Sequence, residues 1–271
     1  MAELFVKRGT PNTSSLEGEA AALRWLAEAM PAGGMPVVEV VSANNAELVE
    51  HRVPAGSPTA EAAERVGAAL AVTHAAGAPW WGCPPPGWAG SYLIRDSYTP
   101  TTPESEAPRS WGAFFAEWRV MPYLRQARDV GAIDSGEAAV FERVARRLQN
   151  GDFDAPQPGL LRAAGTEVAR IHGDLWSGNL LWSANPENPV GATLIDPMAH
   201  GGHAETDLAM LALFGCPFLN RIIASYHEVS PLAEGWRERI PLHQLAPLLH
   251  HCALYGRSYT RSARDAAWPF A

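Results

Sequence analysis

Two carboxylates and one amide in the middle of this chain are spaced for convergence, and that spacing constrains the fold more than any other feature. The run His172-Gly173-Asp174-Leu175-Trp176-Ser177-Gly178-Asn179 is polar and glycine-bearing, and it is followed by Leu194-Ile195-Asp196-Pro197. Asp174 and Asn179 lie five residues apart, so a tight turn can aim both inward from one rigid loop. Asp196 ends the apolar stretch Ala192 to Ile195 and arrives from a different strand. A small divalent cation needs such an arrangement, because its oxygen ligands stand at near-octahedral angles that one loop seldom supplies alone. The plainer alternative is a polar turn in which Asp174 and Asn179 satisfy backbone groups.

Size and charge narrow the partners. At 271 residues the chain is long enough for a two-lobed unit or two modest domains with ample core. A formal net charge of -8 and the lack of a basic stripe argue against a nucleic-acid partner. Cys83, Cys216 and Cys252 are far apart, odd in number and without metal-ligand spacing, which fits a reducing cytoplasm. No apolar h-region stands at the N-terminus, and no apolar run reaches the roughly 18 to 20 residues that span a bilayer, so neither secretion nor a membrane is expected. Monomer and homodimer both remain open.

Along the chain, Leu4-Phe5-Val6-Lys7 reads as a short strand ending in a lysine. Ser14-x-x-Glu17 is a capping-box signature for a helix through about Met30, with an apolar stripe at Leu16, Ala20, Leu23, Leu26, Ala27 and Met30. Glu19 falls on that stripe and Glu17 does not. A carboxylate facing a core needs a partner, and Lys7 is the nearest cation in the chain. The alternative is a solvated Lys7 with Glu19 at the stripe margin.

Pro36 to Val41 and Glu47 to Val53 read as a hairpin joined by Asn44-Asn45, and Pro54 to Pro58 as a hinge. Thr59 to Ala76, Ser110 to Arg128 and Ser135 to Asn150 carry helical periods, whereas Pro79 to Pro108 reads as irregular. A strand ending in Asp196 follows the polar loop. Helices are then expected at Glu205 to Phe214, Phe218 to Val229 and Leu242 to Tyr259.

The polar loop matches the protein-kinase pattern H-R-D-L-x-x-x-N at its His, Asp, Leu and Asn. In that pattern the Asp takes the acceptor hydroxyl's proton, while the Asn and a downstream Asp hold metal. More broadly the chain resembles the aminoglycoside phosphotransferase and choline kinase-like superfamily, and more narrowly the fructosamine (ketosamine) kinase family. The narrow signs are HGDLWSGN at 172 to 179, Asp196-Pro197, Gly202-His203-x-Glu205-x-Asp207-Leu208-Ala209-Met210 and Phe214-Gly215. Weaker agreement extends to Phe5-Val6-Lys7, Glu17-Gly18-Glu19, Trp111 with Phe114-Phe115, and Tyr255-Gly256-Arg257-x-Tyr259.

The resemblance implies an α+β, protein-kinase-like two-lobed fold. A shortened N-terminal β lobe of residues 1–53 would bind nucleotide, and a larger, mainly helical lobe of residues 54–271 would carry catalysis and substrate. It implies ATP and Mg2+ as cofactors, with phosphorylation of a sugar hydroxyl, O3, on a small-molecule ketosamine or a glycated protein amine. Asp174 would be the base, and Asn179 and Asp196 the metal ligands. Lys7 and Glu19 would position nucleotide phosphates, and Glu50, His51 and Arg52 would offer backbone groups to adenine. Trp176 is read as a wall of the sugar pocket or as packing under the loop. His203 and Glu205 either reach substrate or brace the metal strand; Asp207 caps a helix or holds the loop; His172 orients rather than transfers protons.

One departure stands out, since only six residues precede Lys7 and no strand pair with a Gly-rich loop covers the phosphates. An open site, an incomplete chain and a variant branch all fit that fact. Rival readings are a kinase of another hydroxylated amine, such as an aminoglycoside or choline, and a nucleotide-binding pseudoenzyme. A metal hydrolase built on His172, Asp174, His200 and His203 lacks a helical ligand pair such as H-E-x-x-H.

Overall fold

The computed structural model describes residues 3–9, 15–88 and 101–271. In chain order the elements are β1 (Leu4–Arg8), α1 (Leu16–Ala27), β2 (Val40–Ala43), β3 (Glu47–His51), α2 (Ala60–Ala75), α3 (Trp111–Phe115), α4 (Met121–Asp129), α5 (Ser135–Gln149) and α6 (Gly159–Ala163). They continue with β4 (Ala169–Ile171), β5 (Leu180–Trp182), β6 (Ala192–Leu194), β7 (His200–Gly202), α7 (Ala204–Leu213), α8 (Leu219–Val229), α9 (Trp236–His243), α10 (Leu245–Tyr255) and α11 (Thr260–Ala267). Contacts divide the chain into two compact units, Met1–Pro103 with Pro156–Ala233 and Glu104–Ala155 with Glu234–Ala271.

The first unit holds every strand. Its three-stranded antiparallel sheet has the order β1-β3-β2, with Lys7 opposite Leu48 and Phe5 opposite Glu50. On β3, Leu48 and Glu50 are buried while their neighbours are not, so one pleated face looks inward. Helix α1 is capped by Ser15, whose side chain accepts from the Gly18 N–H, one residue later than expected; Ser14 lies outside the described residues. Its stripe buries Leu16, Ala20, Leu23 and Leu26 as read, but Met30 is exposed because the α-helix stops at Ala27 and a 3-10 turn begins there.

The hairpin is shifted from its expected register. Asn44 Oδ1 accepts from the N–H groups of Ala46 and Glu47, closing the turn after Ala43. Of the expected first strand, Val40 and Val41 do belong to β2, while Pro36 to Val38 instead bonds β6: Val38 donates to the Leu194 carbonyl and Leu194 to that of Pro36. That contact ties the small sheet to the strand leading into Asp196.

Two further antiparallel pairs, β4 with β7 and β5 with β6, frame the polar loop. Beneath them Gln157 gives its amide N–H2 to the Glu167 and Gly202 carbonyls and accepts from Ala204, fixing the start of α7. Helix α2, capped by Thr59, packs on α8 at Gly67, where a Cβ would run into the Ile222 carbonyl.

The second unit is helical. The helix expected over 110–128 contains one π-helical turn, Ala116–Val120, because Pro122 has no N–H to give the Trp118 carbonyl. The helix expected over 242–259 is likewise split: α9 ends at His243 and α10 starts afresh with Pro247 in its first turn, where a missing N–H costs nothing. Trp111 stacks on Phe115 with centroids 5.0 Å apart, over a core that includes Phe141 and Leu148. Among the described residues no helix is long and apolar enough to cross a membrane.

Gly67 supplies a stability test. Gly→Ala in an open helix stabilises by about 1 kcal/mol, but here the added methyl meets backbone of α8. Gly67→Ala is expected to destabilise by about 1–3 kcal/mol in urea unfolding, as overpacking does. A variant as stable as the parent would show that α2 and α8 are not in close contact.

Candidate functional site

The polar loop is built around a buried carboxylate. Asp207, fully buried on α7, accepts from the backbone N–H groups of His172 (2.7 Å) and Gly173 (3.0 Å) and from His74 Nε2 (3.1 Å). His74 Nδ1 lies 2.9 Å from the Tyr226 hydroxyl. Nε2–H donates to Asp207, while Nδ1 meets the Tyr226 hydroxyl on the other side of the ring. Burial works to raise the Asp207 carboxyl, but the His74 hydrogen bond and charge outweigh it and hold it below the ordinary carboxylate range. Burial, then the charge of Asp207, pushes the Tyr226 phenol far up. Asp207 thus has the loop-holding role, while the N-cap of α7 is His203, whose Nδ1 accepts from the Glu205 N–H.

Gly173 makes the turn possible. Its φ is +81°, and a Cβ there would strike the Met198 carbonyl. His172 donates from Nε2 to the Ile195 carbonyl at 2.9 Å and accepts the Asp174 N–H on Nδ1 at 3.2 Å. Burial, opposed by Asp207, lowers its pKa. It is therefore a neutral brace between the loop and the strand carrying Asp196.

Asn179 joins the expected base to the backbone of the expected metal ligand Asp196. Its Nδ2 donates to the Asp174 carbonyl (2.8 Å), to Asp174 Oδ2 (3.1 Å) and, at 3.4 Å, to the Asp196 carbonyl. With the amide nitrogen so engaged, the Asn179 oxygen faces away from these partners and is available as a ligand. Asp196 follows β6 by two residues with φ +52°, a left-handed conformation uncommon for a side-chain-bearing residue and typical of functional turns.

Lys7 closes the group from the sheet. Its Nζ lies 2.7 Å from Glu19 Oε2 and 3.2 Å from Asp196 Oδ1. Burial alone would lower the Lys7 pKa, but Glu19 and then Asp196 raise it overall. The sequence reading of Glu19 as an inward carboxylate facing Lys7 is what the structure places there.

The remaining candidates are distributed unevenly. Trp176 is 41% exposed, and its indole lies over Gly178, where any Cβ would collide with the ring. His203 and Glu205 are both buried. The His51 side chain points to Glu39 and that of Arg52 to Glu3, while their N–H groups go to the Glu39 and Glu3 carbonyls. Glu50 differs: it is 3% exposed, its Oε1 is buried without a hydrogen-bond partner, and it faces the Lys7 group. His74 and Tyr226 were not singled out in the sequence, where they sit inside apolar helices without a motif.

Two of these carboxyls titrate near neutrality. Burial raises Glu19 to about 7 against the opposing pull of Lys7, and burial followed by the charge of Asp196 raises Glu50 to about 7. Both lie above the ordinary value near 4.5, so the folded form keeps protons that the unfolded chain releases. The linked stability is complete below about pH 4.5 and is lost as pH rises through about 7. Thermal melts across that window are expected to fall with pH, and less steeply for Glu50→Gln. Parallel curves for parent and variant would contradict the Glu50 shift.

Comparison with known proteins gives the lineage of this geometry. The chain is 36% identical over 175 residues to a protein named Probable ketoamine kinase from Klebsiella aerogenes, an alignment covering 64% of this chain and 54% of that protein. It is 32% identical over 232 residues to one of the same name from Synechocystis, covering 85% and 69%. A crystal structure of a fructosamine-3-kinase candidate from Thermobifida fusca superposes with TM-score 0.80 at 42% identity, covering 99% of this chain and 85% of that one. The chain spans about half the length of several curated relatives that it matches. The architecture is the protein-kinase-like α+β fold shared with choline kinase and macrolide phosphotransferase structures. With the fructosamine kinase model matching residues 2–267, the chain belongs to the fructosamine kinase family.

Proposed function

We propose that this protein is an ATP-dependent kinase that phosphorylates a sugar hydroxyl, O3, of a ketosamine, free or carried on a protein amine. The observation that carries the reading is the Asn179 amide, within hydrogen-bond reach of both Asp174 Oδ2 and the Asp196 backbone, with Lys7 bound to the Asp196 carboxylate on the other side. One base, two oxygen ligands and one cation then surround a single small volume. Family membership and the ketoamine kinase names of the relatives support the substrate class.

Each side chain has a task in that volume. Asp174 orients the acceptor hydroxyl and takes its proton, a contribution typically worth about 10²- to 10⁴-fold in rate. Its carboxylate is held ready by Asn179 and its backbone by the His172 brace. Lys7, kept in place by Glu19, neutralises phosphate charge. The exposed face of Trp176 supplies a flat apolar wall on which a sugar ring can stack.

The donor set fits magnesium: a half-exposed Asp196 carboxylate and the Asn179 amide oxygen are hard oxygen ligands, with room left for water and phosphate. When bound, Mg2+ would offset charge on the phosphates, with Asn179 and Asp196 holding it. A cytoplasmic setting suits ATP as the donor.

Mass spectrometry of a ketosamine incubated with protein, ATP and Mg2+ is expected to show the gain of one phosphate. Asp174→Asn should reduce turnover by about 10²-fold or more while retaining ATP binding, and chelator should abolish activity that Mg2+ but not Zn2+ restores. ATP binding with no phosphorylated product across ketosamines, aminoglycosides and choline would point to a binding protein; near-normal turnover by Asp174→Asn would remove Asp174 from its role.

A further inference from the structure

Among the described residues, Glu50 is a buried acidic group facing this site that phosphoryl transfer leaves without a task. It follows Leu48 by two residues on β3, and Leu48 is the cross-strand partner of Lys7. Glu50 therefore leaves the same face of the sheet as Lys7, roughly 7 Å further along the strand. Its Oε1 is buried and meets no donor, an uncommon state for a carboxylate in a finished structure. Lys7, the nearest cation described, is engaged by Glu19 and Asp196.

What lies beyond Glu50 decides which donor could reach it. The chain leaves the sheet after His51 and turns onto β5, where Gly56 donates to the Trp182 carbonyl and Ala184 to that of Pro54. On the inner face of β3, Glu50 thus stands between residues 51–56 and Lys7, which is itself bound to Asp196. On the kinase reading, a nucleotide whose phosphates meet Lys7 would carry its base along β3 toward residues 51–56, past Glu50.

Resting on the kinase reading, we infer that the Glu50 side chain reads the purine: its unpaired carboxyl oxygen accepts a hydrogen from the exocyclic amine of adenine and so selects ATP over GTP. Guanine carries a carbonyl oxygen at the same ring position. Against the ionised carboxylate, the form present above about pH 7, that oxygen finds no donor, and both acceptors stay unsatisfied. A site built to receive an N–H rejects the analogue that lacks it strongly. A metal ion is the poorer occupant, because Mg2+ sheds its waters reluctantly and a single buried carboxyl oxygen does not replace them.

The test compares ATP, GTP and purine riboside triphosphate, which has the same ring system without a 6-substituent, by competition binding and by kcat/KM. The parent protein should prefer ATP over GTP by about 100-fold or more and bind purine riboside triphosphate about 10-fold more weakly than ATP. Glu50→Gln, whose amide presents either an acceptor or a donor, should reduce the ATP-to-GTP ratio at least about 10-fold, chiefly by gaining on GTP. An unchanged ratio, or equal losses on ATP and GTP, would show that Glu50 only supports Lys7 and would overturn the inference. Equal binding of ATP and purine riboside triphosphate by the parent would overturn it without any variant. Parent protein that binds neither ATP nor GTP would instead bring down the kinase reading, and this inference with it.

Discussion

A single half-buried ammonium, that of Lys7, stands against three carboxyl groups, and the arrangement of the first unit follows from keeping it there. Glu19 comes from helix α1, Glu50 from strand β3 and Asp196 from the turn after β6, so one cation is referenced to three separate elements. A group of net negative charge in a partly desolvated place is costly in the free protein. The same excess of acceptors suits a site that is completed by a divalent cation and by donors from a nucleotide. Lys7 links helix α1 to the turn after β6.

The loop opposite Lys7 is held by a different principle. Its shape is set from behind, by a fully buried aspartate that spends both oxygens on backbone N–H groups and on a histidine itself anchored by a tyrosine. Networks of this kind are rigid when every member is satisfied. On the proposed function such rigidity has a use, because positioning and charge placement supply most of the catalysis in phosphoryl transfer. Gly173 and the left-handed Asp196 turn are where the backbone accommodates that demand.

Much of this was legible in the residues. The fixed spacing of Asp174 and Asn179, and an aspartate at the end of an apolar strand, carry their meaning because one tight loop and one strand end are all they need. Glu19 was readable from its place on a helical stripe. His74 and Tyr226 were not, since a polar residue inside an apolar helix reveals its partner only after long-range packing brings α2, α7 and α8 together. Glu50 lay between these cases: the resemblance gave its backbone a role toward adenine, and its side chain turns inward because it follows the buried Leu48 by two residues. The hairpin register was misplaced because Pro36 to Val38 carry strand-like residues whose backbone partner, Leu194, is remote in sequence.

The central claim is that Asn179 and Asp196 together hold the metal of a metal–nucleotide complex against Lys7. Electron paramagnetic resonance of Mn2+ with ATP tests it most directly, with Mn2+ standing in for Mg2+. The account predicts a protein-bound Mn2+–ATP signal in the parent protein that is lost or weakened at least about 10-fold in Asp196→Asn. An undiminished signal in a folded Asp196→Asn variant would contradict it.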